Sequence, residues 1–314
     1  MMYILNVLAP VFAVIALGVV LRRIGFVGDD VLAGMNRLAY WVGLPCLLLH
    51  KIAAASFVEA ASFDVLWLVL IGMGASLAVG GAVARALRVR RAQAGAFLQA
   101  VFRGNLAFVG LAVVLSAFAA LPGAEADVQA RAERAVVLTL GPIVPVYNIV
   151  AVLVLLGCNH SLGARTLRTM GLQVATNPLL VASAAGVAVS LSGWSFPPAV
   201  QRTLQTVGQL ALPLALLCIG GRIASARLGE RGGLAVLAAV IKVTVGPAVG
   251  YVAARWMGIG PVETAALILL ACPTAVASYV LSEQLGADSA LSAGAVVVST
   301  ILSVVSLAVV VAMI

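Results

Sequence analysis

The chain has 314 residues, of which 63% are hydrophobic and only 10% are charged, and its formal net charge is +8. A soluble domain is nearer half apolar and a quarter charged, so this composition excludes an ordinary soluble domain and indicates a polytopic membrane protein. We assign the basic balance to arginines in cytoplasmic loops rather than to a nucleic-acid surface, because no basic run is longer than a short loop.

The four cysteines, Cys46, Cys158, Cys218 and Cys272, are far apart and lie in or at the ends of apolar segments. No CxxC pair and no histidine at ligand spacing accompanies them. We therefore expect small core residues rather than disulfides or a zinc site, and we expect no metal and no cofactor.

Ten segments are apolar over the ~20 residues that are needed to cross the ~30 Å hydrocarbon core of a bilayer. These predicted spans 1 to 10 cover residues 3–22, 31–53, 63–86, 94–118, 135–157, 170–191, 198–221, 233–256, 263–284 and 290–313. The segment from Leu121 to Arg134 carries Pro-Gly and mixed charges, so we expect a polar connection there. The predicted fold is an all-α membrane protein with ten transmembrane helices.

Arginine is concentrated in the loops that follow spans 1, 3, 5 and 7. These loops include Arg22, Arg23, Arg88, Arg90, Arg165, Arg168, Arg222 and Arg227. The positive-inside rule places them in the cytoplasm and both termini outside, which is the periplasm in a bacterium. We therefore predict a multi-pass protein of the bacterial inner membrane.

An internal repeat relates residues 1–157 to residues 170–314. A shift of 168 residues superposes Pro10 on Pro178, Gly18 on Gly186, Gly25 on Gly193, and Leu44-Pro45 on Leu212-Pro213, and a shift of 170 superposes Gly80 on Gly250. Each half has five spans, an odd number, so the second half enters the membrane from the opposite side. Inverted repeats are a recurrent architecture of secondary transporters, whose site lies at the repeat interface near the midplane. The Leu-Pro steps predict matching kinks in spans 2 and 7.

Span 4 carries the unusual stretch FRGNLAFVG, residues 102–110. Arg103 lies about 14 Å into the span at 1.5 Å per residue, close to the bilayer centre. Gly104 and Gly110 lower helix propensity, and the Asn105 amide can replace lost backbone hydrogen bonds, so we predict a break in the helix. Alternatively, Arg103 extends to the cytoplasmic headgroups and the glycines only allow close helix packing.

Span 9 carries the partner stretch ACPTAVASYV, residues 271–280, which a shift of 170 superposes on the stretch in span 4. Pro273 removes a backbone donor and clashes with the preceding turn, which predicts a second break. Thr274, Ser278 and Tyr279 could reseal the freed groups or bind a ligand. The alternative is a kink without function.

Two broken helices that meet would direct half-helix N-termini inward, and these favour anions. Arg103 and Lys242 add full positive charges, and no aspartate lies deep in any span. We therefore predict an anion site. Alternatively, Lys242 forms a structural pair with Glu283 or extends to the surface. Asn148 and Asn177 are pathway candidates, for which packing hydrogen bonds are an equal alternative.

The sequence resembles the auxin efflux carrier family of bacterial and plant transporters over nearly its whole length. The matching motifs are Leu44-Pro45, R-G-N-x-x-F-x-G-L from Arg103 to Leu111, Asn177-Pro178, P-T-A-V-A-S-Y-V-L-S-E-Q-L-G-A-D from Pro273 to Asp288, and S-T-x-L-S from Ser299 to Ser303. Two departures are Ala112, where the family usually has proline, and Ser278, where plant members have proline.

The resemblance implies two inverted five-helix halves with broken, crossing helices 4 and 9. It also implies a scaffold of helices 1, 2, 6 and 7 that is often dimeric, and a moving transport part of helices 3–5 and 8–10. Its cargo would be a small organic anion such as malonate or malate, which Asn105 would contact. Phe108 of the same motif is included among the candidate contacts.

We therefore predict a secondary transporter that moves a small carboxylate by elevator-type alternating access. No HExxH motif, paired aspartates or Ser-His arrangement at depth suggests an enzyme. The alternative is a sodium-coupled symporter of the bile-acid type, or a cation/proton exchanger on a related fold. The missing intramembrane aspartates disfavour the exchanger, and they disfavour the symporter less.

Overall fold

The computed structural model describes residues 2–54, 61–119, 126–159, 176, 178–225, 232–258, 260 and 265–313. Within these ranges every regular element is helical, and β pairing is limited to an isolated antiparallel bridge between Gly104 and Thr274. The all-helical fold class predicted from the composition is confirmed.

Fourteen α-helices lie in the described residues. They are α1 (Met2–Arg23), α2 (Asp29–Leu38), α3 (Leu44–Ala53), α4 (Ala61–Ala86), α5 (Arg91–Phe102), α6 (Leu111–Ala119), α7 (Ala126–Asn159), α8 (Pro178–Leu191), α9 (Pro198–Gln209), α10 (Ala211–Ser225), α11 (Gly232–Trp256), α12 (Ala265–Ala271), α13 (Ala277–Gln284) and α14 (Ser289–Met313). Two short π-helices, Ala39–Gly43 and Leu106–Gly110, precede α3 and α6.

Seven helical segments in the described residues are long and apolar enough to cross a membrane. They correspond to predicted spans 1, 2, 3, 5, 7, 8 and 10. Spans 4 and 9 consist of shorter helices, α5 with α6 and α12 with α13. Of span 6, the structure describes Thr176 and α8, so Asn177 lies outside the described residues.

Both Leu-Pro steps lie just after an irregularity in their helix. Proline lacks the N–H that would bond the carbonyl four residues earlier, and its ring crowds that carbonyl. Before Pro45 the backbone widens into the π-helix Ala39–Gly43, and before Pro213 it forms a turn at Leu210 between α9 and α10.

The predicted polar connection from Leu121 to Arg134 is wrong over most of its length. α7 begins at Ala126, so the charged residues from Asp127 to Arg134 form the first turns of a long helix. These residues have good helix propensity, and a helix can extend beyond an apolar core where hydropathy gives no signal. Glu133 there forms an ion pair with Lys51 of α3, 2.6 Å between Oε1 and Nζ.

The chain divides into two compact units. The first unit comprises Met1–Phe63, Ala107–Pro145 and Gln173–Ser225. Within it α1 packs on α10, and α3 packs on α8 and α9. Close approach depends on glycine, since a Cβ on Gly18 of α1 would lie 2.2 Å from the carbonyl oxygen of Leu217.

The second unit comprises Asp64–Leu106, Val146–Leu172 and Ala226–Ile314. Within it α11 packs on α5, α12 and α14, and α13 packs on α5 and α14. Its core includes Phe97 and Val101 of α5, Ala238 and Ile241 of α11, and Ala295 of α14. This unit contains both interrupted stretches that the sequence analysis singled out.

Candidate functional site

Two helix breaks of the second unit form the candidate site. α5 ends at Phe102 and helical structure resumes at Leu106, while α12 ends at Ala271 and α13 begins at Ala277. The breaks coincide with the predicted positions, at Gly104 in one stretch and at Pro273 in the other. Glycine has a low helix propensity and proline lacks the N–H that a helix requires, so each helix is interrupted at this residue.

The two breaks are hydrogen-bonded to each other through their backbones. The Asn105 N–H donates to the carbonyl of Pro273, 2.8 Å, and the Ala275 N–H donates to the carbonyl of Arg103, also 2.8 Å. In uninterrupted helices the two N–H groups would have bonded carbonyls four residues earlier. Each break therefore supplies a carbonyl that accepts a hydrogen bond from an N–H group of the other break, which has lost its helical partner.

Side chains form hydrogen bonds with further backbone groups that the breaks leave without a helical partner. The Thr274 hydroxyl donates to the carbonyl of Ala100, 2.9 Å, which a straight α5 would have bonded to Gly104. The Thr274 N–H in turn donates to Ser299 Oγ of α14, 2.9 Å. Thr274 therefore seals both breaks at once, and it is fully buried.

Lys242 of α11 is buried next to the same breaks. Its Nζ donates to the carbonyl of Leu270, 2.7 Å, which a straight helix would have bonded to the Thr274 N–H. The side chain is 2% exposed, and no ion pair joins it to Glu283 within the described residues. Lys242 thus places its amine at the C-terminal end of α12, where the helix dipole favours the protonated form.

Arg103 is buried, with 7% of its surface exposed, so it does not extend to a surface as the alternative reading required. Its Nη2 donates to Asn148 Oδ1 of α7. Beside it, the ring of Phe102 lies 5.9 Å from the ring of Tyr147, which precedes Asn148 on α7. Arg103 and Asn148, which the sequence predicted as site residues from different spans, therefore meet at one place.

Gly104 allows the breaks to approach closely. A Cβ at this position would lie 2.9 Å from Leu106 Cδ2, 3.2 Å from Cys272 Sγ and 3.4 Å from Lys242 Cε. The Cys272 thiol is fully buried and donates to the carbonyl of Leu269, 2.8 Å, the group that Pro273 leaves without an N–H partner. A larger residue than glycine would push the two stretches apart.

The remaining predicted residues divide into two groups. Asn105, Pro273 and Ser278 are buried at or directly after the breaks, and Tyr279 is half-buried on α13. Phe108 is half-buried on the π-helix Leu106–Gly110 and belongs to the first unit rather than the second. Its contact with a ligand stays a prediction.

Sequence reasoning did not assign roles to Ser299 and Gln99. Ser299 lies in the S-T-x-L-S motif, but serines are frequent in this chain and a hydroxyl in an apolar helix has no distinctive pattern. Gln99 lies one turn before Arg103 and is fully buried. A glutamine within an apolar run was the available signal for it.

Metal ligands are not gathered in the described residues, since they contain no group of three or more His, Cys, Asp or Glu that could hold one ion. The arrangement instead offers two buried cationic side chains, an amide and hydroxyls around hydrogen-bonded breaks. Such a set can bind a small polar or anionic ligand.

Comparison with known proteins agrees with these features. The family described as "Membrane transport protein" matches residues 3–161 and 164–311 of this chain. A Rhizobium meliloti (strain 1021) protein named "Putative malonate transporter" is 24% identical over 301 residues, which cover 94% of this chain and 91% of that protein. The family match confirms the resemblance to the auxin efflux carriers. With helices long enough to span a bilayer and a family match over nearly its whole length, the chain belongs to the membrane transport protein family and is a multi-pass membrane protein.

Proposed function

We propose that the protein is a secondary transporter that moves a small carboxylate across the bacterial inner membrane, with its binding site at the two helix breaks. The observation that carries this proposal is the reciprocal pair of backbone hydrogen bonds between residues 103–105 and 273–275. Irregular backbone within a membrane protein is tolerated where it is covered by protein or lines a cavity, and ligand sites use it.

The charge at the breaks supports an anion. Arg103 and Lys242 are both buried there. The buried acid Asp288 directly precedes α14, eleven residues before Ser299, which places it about 16 Å from Ser299 along the helix axis. Arginine and lysine attract carboxylates strongly where water is excluded.

Neutral groups would orient the carboxylate. Asn105, Ser278 and Tyr279 carry donors on or next to the breaks, whereas the Thr274 hydroxyl donates to the carbonyl of Ala100. Asn148 holds the Arg103 guanidinium. A few convergent polar groups of this kind fix the orientation of a small ligand. We assign substrate contact first to Asn105, because its backbone already lies within the paired breaks.

Equivalent glycine contacts support two inverted halves. Gly80 of α4 packs against Val101 of α5, and Gly250 of α11 packs against Leu270 of α12, at positions that the shift of 170 relates. Gly25 and Gly193 follow α1 and α8 with positive φ angles of 75° and 67°, and the shift of 168 relates them. These pairs favour two equivalent halves of five spans each, and the hydrogen bonds between the two breaks favour a crossing of helices 4 and 9.

An elevator-type mechanism assigns different roles to two parts of the chain. The scaffold would contain spans 1, 2, 6 and 7, through which a homodimer would form, and the transport part would contain spans 3–5 and 8–10. The division into compact units matches this assignment for α1, α3, α8 and α10 in the first unit and for α5 and α11 to α14 in the second. It differs for α6 and for α7 as far as Pro145, which fall in the first unit although they belong to spans 4 and 5. Both termini would lie in the periplasm.

A thermal-shift screen of purified protein tests the cargo class. A ligand that binds the folded form alone raises the unfolding temperature, by an amount that grows with concentration. Malonate, the cargo in the name of the Rhizobium relative, is the first probe. We expect malonate or a related carboxylate to raise the Tm and the neutral diamide of malonate to leave it unchanged. Stabilisation by neutral analogues, with none by carboxylates, would contradict the proposal.

A further inference from the structure

Four buried side chains of the second unit form a polar cluster, which we call the Gln99 junction. It consists of Gln99 on α5, Ser278 and Ser282 on α13, and Ser292 on α14, and all four are fully buried. Gln99 Nε2 donates to the carbonyl of Ser278, 2.7 Å, and to Ser282 Oγ, 2.6 Å. The hydroxyls of Ser282 and Ser292 are 2.7 Å apart. The junction therefore joins α13 to both neighbouring helices.

The orientation of the Gln99 amide follows from its partners. The Ser278 carbonyl can only accept a hydrogen bond, so the amide nitrogen, not the amide oxygen, must face it. The reverse orientation would bring two acceptor oxygens together at 2.7 Å. Gln99 Oε1 consequently points away from the Ser278 carbonyl.

Two oxygen atoms of the junction lack a hydrogen-bond partner among the described residues. They are Gln99 Oε1 and Ser278 Oγ, both in side chains that are fully buried. Native proteins satisfy the large majority of buried side-chain polar atoms with protein groups or ordered water. The two oxygens belong to residues that the hydrogen bond from Gln99 Nε2 to the Ser278 carbonyl joins directly.

We propose that the Gln99 junction is a binding site for a buried water molecule, which donates to Gln99 Oε1 and exchanges a hydrogen bond with Ser278 Oγ. An amide oxygen needs a donor, and a hydroxyl can donate or accept, so water matches both atoms. Buried waters make two to four such bonds in polar sites. An anion would be repelled by Gln99 Oε1, and a bare cation would require more oxygen ligands than these two.

The bound water has a structural consequence for the site. α13 begins directly after the break at Pro273, and Ser278 lies in its first turn. Water that links Ser278 to Gln99 completes the attachment of this half-helix to α5. The inference does not depend on which cargo the protein carries.

Substitution of Ser278 by alanine gives opposite results with and without the water. If water bonds Ser278 Oγ, Ser278→Ala removes one of its partners, and we expect the Tm of the full-length protein to fall by roughly 2–4 °C. If the hydroxyl is unsatisfied, its removal relieves a buried polar group, and the Tm stays unchanged or rises. The matched control is Ser303→Ala, a fully buried serine whose hydroxyl donates to the carbonyl of Thr300 within α14. A Tm for Ser278→Ala at or above the wild-type value overturns the proposal.

A structure of the wild-type protein by electron cryo-microscopy, at a resolution that reveals ordered water, tests the site without a substitution. We expect a density peak within hydrogen-bonding distance of both Gln99 Oε1 and Ser278 Oγ. Clear density for the two side chains with no peak between them would overturn the inference, even if Ser278→Ala is less stable.

Discussion

Asn105 contributes to the candidate site in two separable ways. Its backbone N–H holds the second break through the carbonyl of Pro273, and the residue as a whole is 5% exposed. Substitution of the side chain therefore leaves the backbone bond intact. This separation allows a ligand contact to be distinguished from a folding role.

We expect Asn105→Ala to weaken carboxylate uptake roughly tenfold, because one good hydrogen bond to a charged group is lost. Its Tm should stay close to the wild-type value. The measurement is uptake of radiolabelled malonate into proteoliposomes, with Thr244→Ala as control. Thr244 is an exposed residue of α11 whose hydroxyl bonds its own helix at Val240. Wild-type uptake by Asn105→Ala would remove this residue from the site.

Lys242 differs from Asn105 because its amine completes the backbone at Leu270. We expect Lys242→Met, which keeps the length and apolar stem, to destabilise the protein by about 1–3 kcal/mol, since a buried carbonyl loses a charged donor. Affinity for carboxylates should also fall. Thermal unfolding measures the first effect, with Thr244→Val on the same helix as control. If Lys242→Met is the more stable protein, the cost of burying the amine exceeds the value of its bond.

At the scale of elements, each break is sealed by groups from another helix. Thr274 bonds α5 and α14, and Lys242 of α11 bonds α12. Interrupted helices that are sealed in this way form a rigid arrangement, because each unsatisfied group would be costly away from water. The close approach depends on the absence of a side chain at Gly104.

Gly104→Ala should lower the stability by about 1–3 kcal/mol, as overpacking does, and should reduce uptake as well. The added Cβ would meet Leu106, Cys272 and Lys242. Gly74→Ala is the matched control, because Gly74 lies within α4 and a Cβ there has no neighbour within 4 Å. Alanine there should be neutral or slightly stabilising. Equal unfolding temperatures for the two variants would show that the breaks are not tightly packed.

The positions of both breaks could be predicted from sequence, since glycine at residue 104 and proline at residue 273 are locally unfavourable in helices. The hydrogen bonds that satisfy the freed backbone groups of the breaks could not be predicted. A backbone acceptor such as the Leu270 carbonyl has no sequence signature, so the partner of Lys242 was missed. The start of α7 at Ala126 was missed for a similar reason, because charged residues with helical propensity look like a loop when apolarity alone defines a span.

At the scale of the whole molecule, composition and the family match agree on a membrane transport protein. Apolar length predicted the spans that consist of one long helix, and it could not predict how they associate. Association depends on small residues at specific contacts, such as Gly18 of α1 against Leu217 and Gly220 of α10 against Ile15. Close helix approach of this kind is typical of membrane proteins.

We expect Gly18→Ala to destabilise the first unit by at least about 1–3 kcal/mol, because its Cβ would lie 2.2 Å from a backbone oxygen that cannot rotate away. Gly34→Ala is the control, since Gly34 of α2 has no atom within 4 Å of a Cβ position. Thermal unfolding of both variants in the same detergent measures the difference. Tolerance of alanine at Gly18 would show that α1 and α10 are farther apart than described.

The most direct measurement for the paired helix breaks as a carboxylate site is a structure determined by electron cryo-microscopy in saturating malonate. We predict ligand density within hydrogen-bonding distance of the Asn105 side chain, next to the bonds that join Arg103 to Ala275 and Asn105 to Pro273. Malonate bound elsewhere, with the breaks unchanged and unoccupied, would contradict the proposed site.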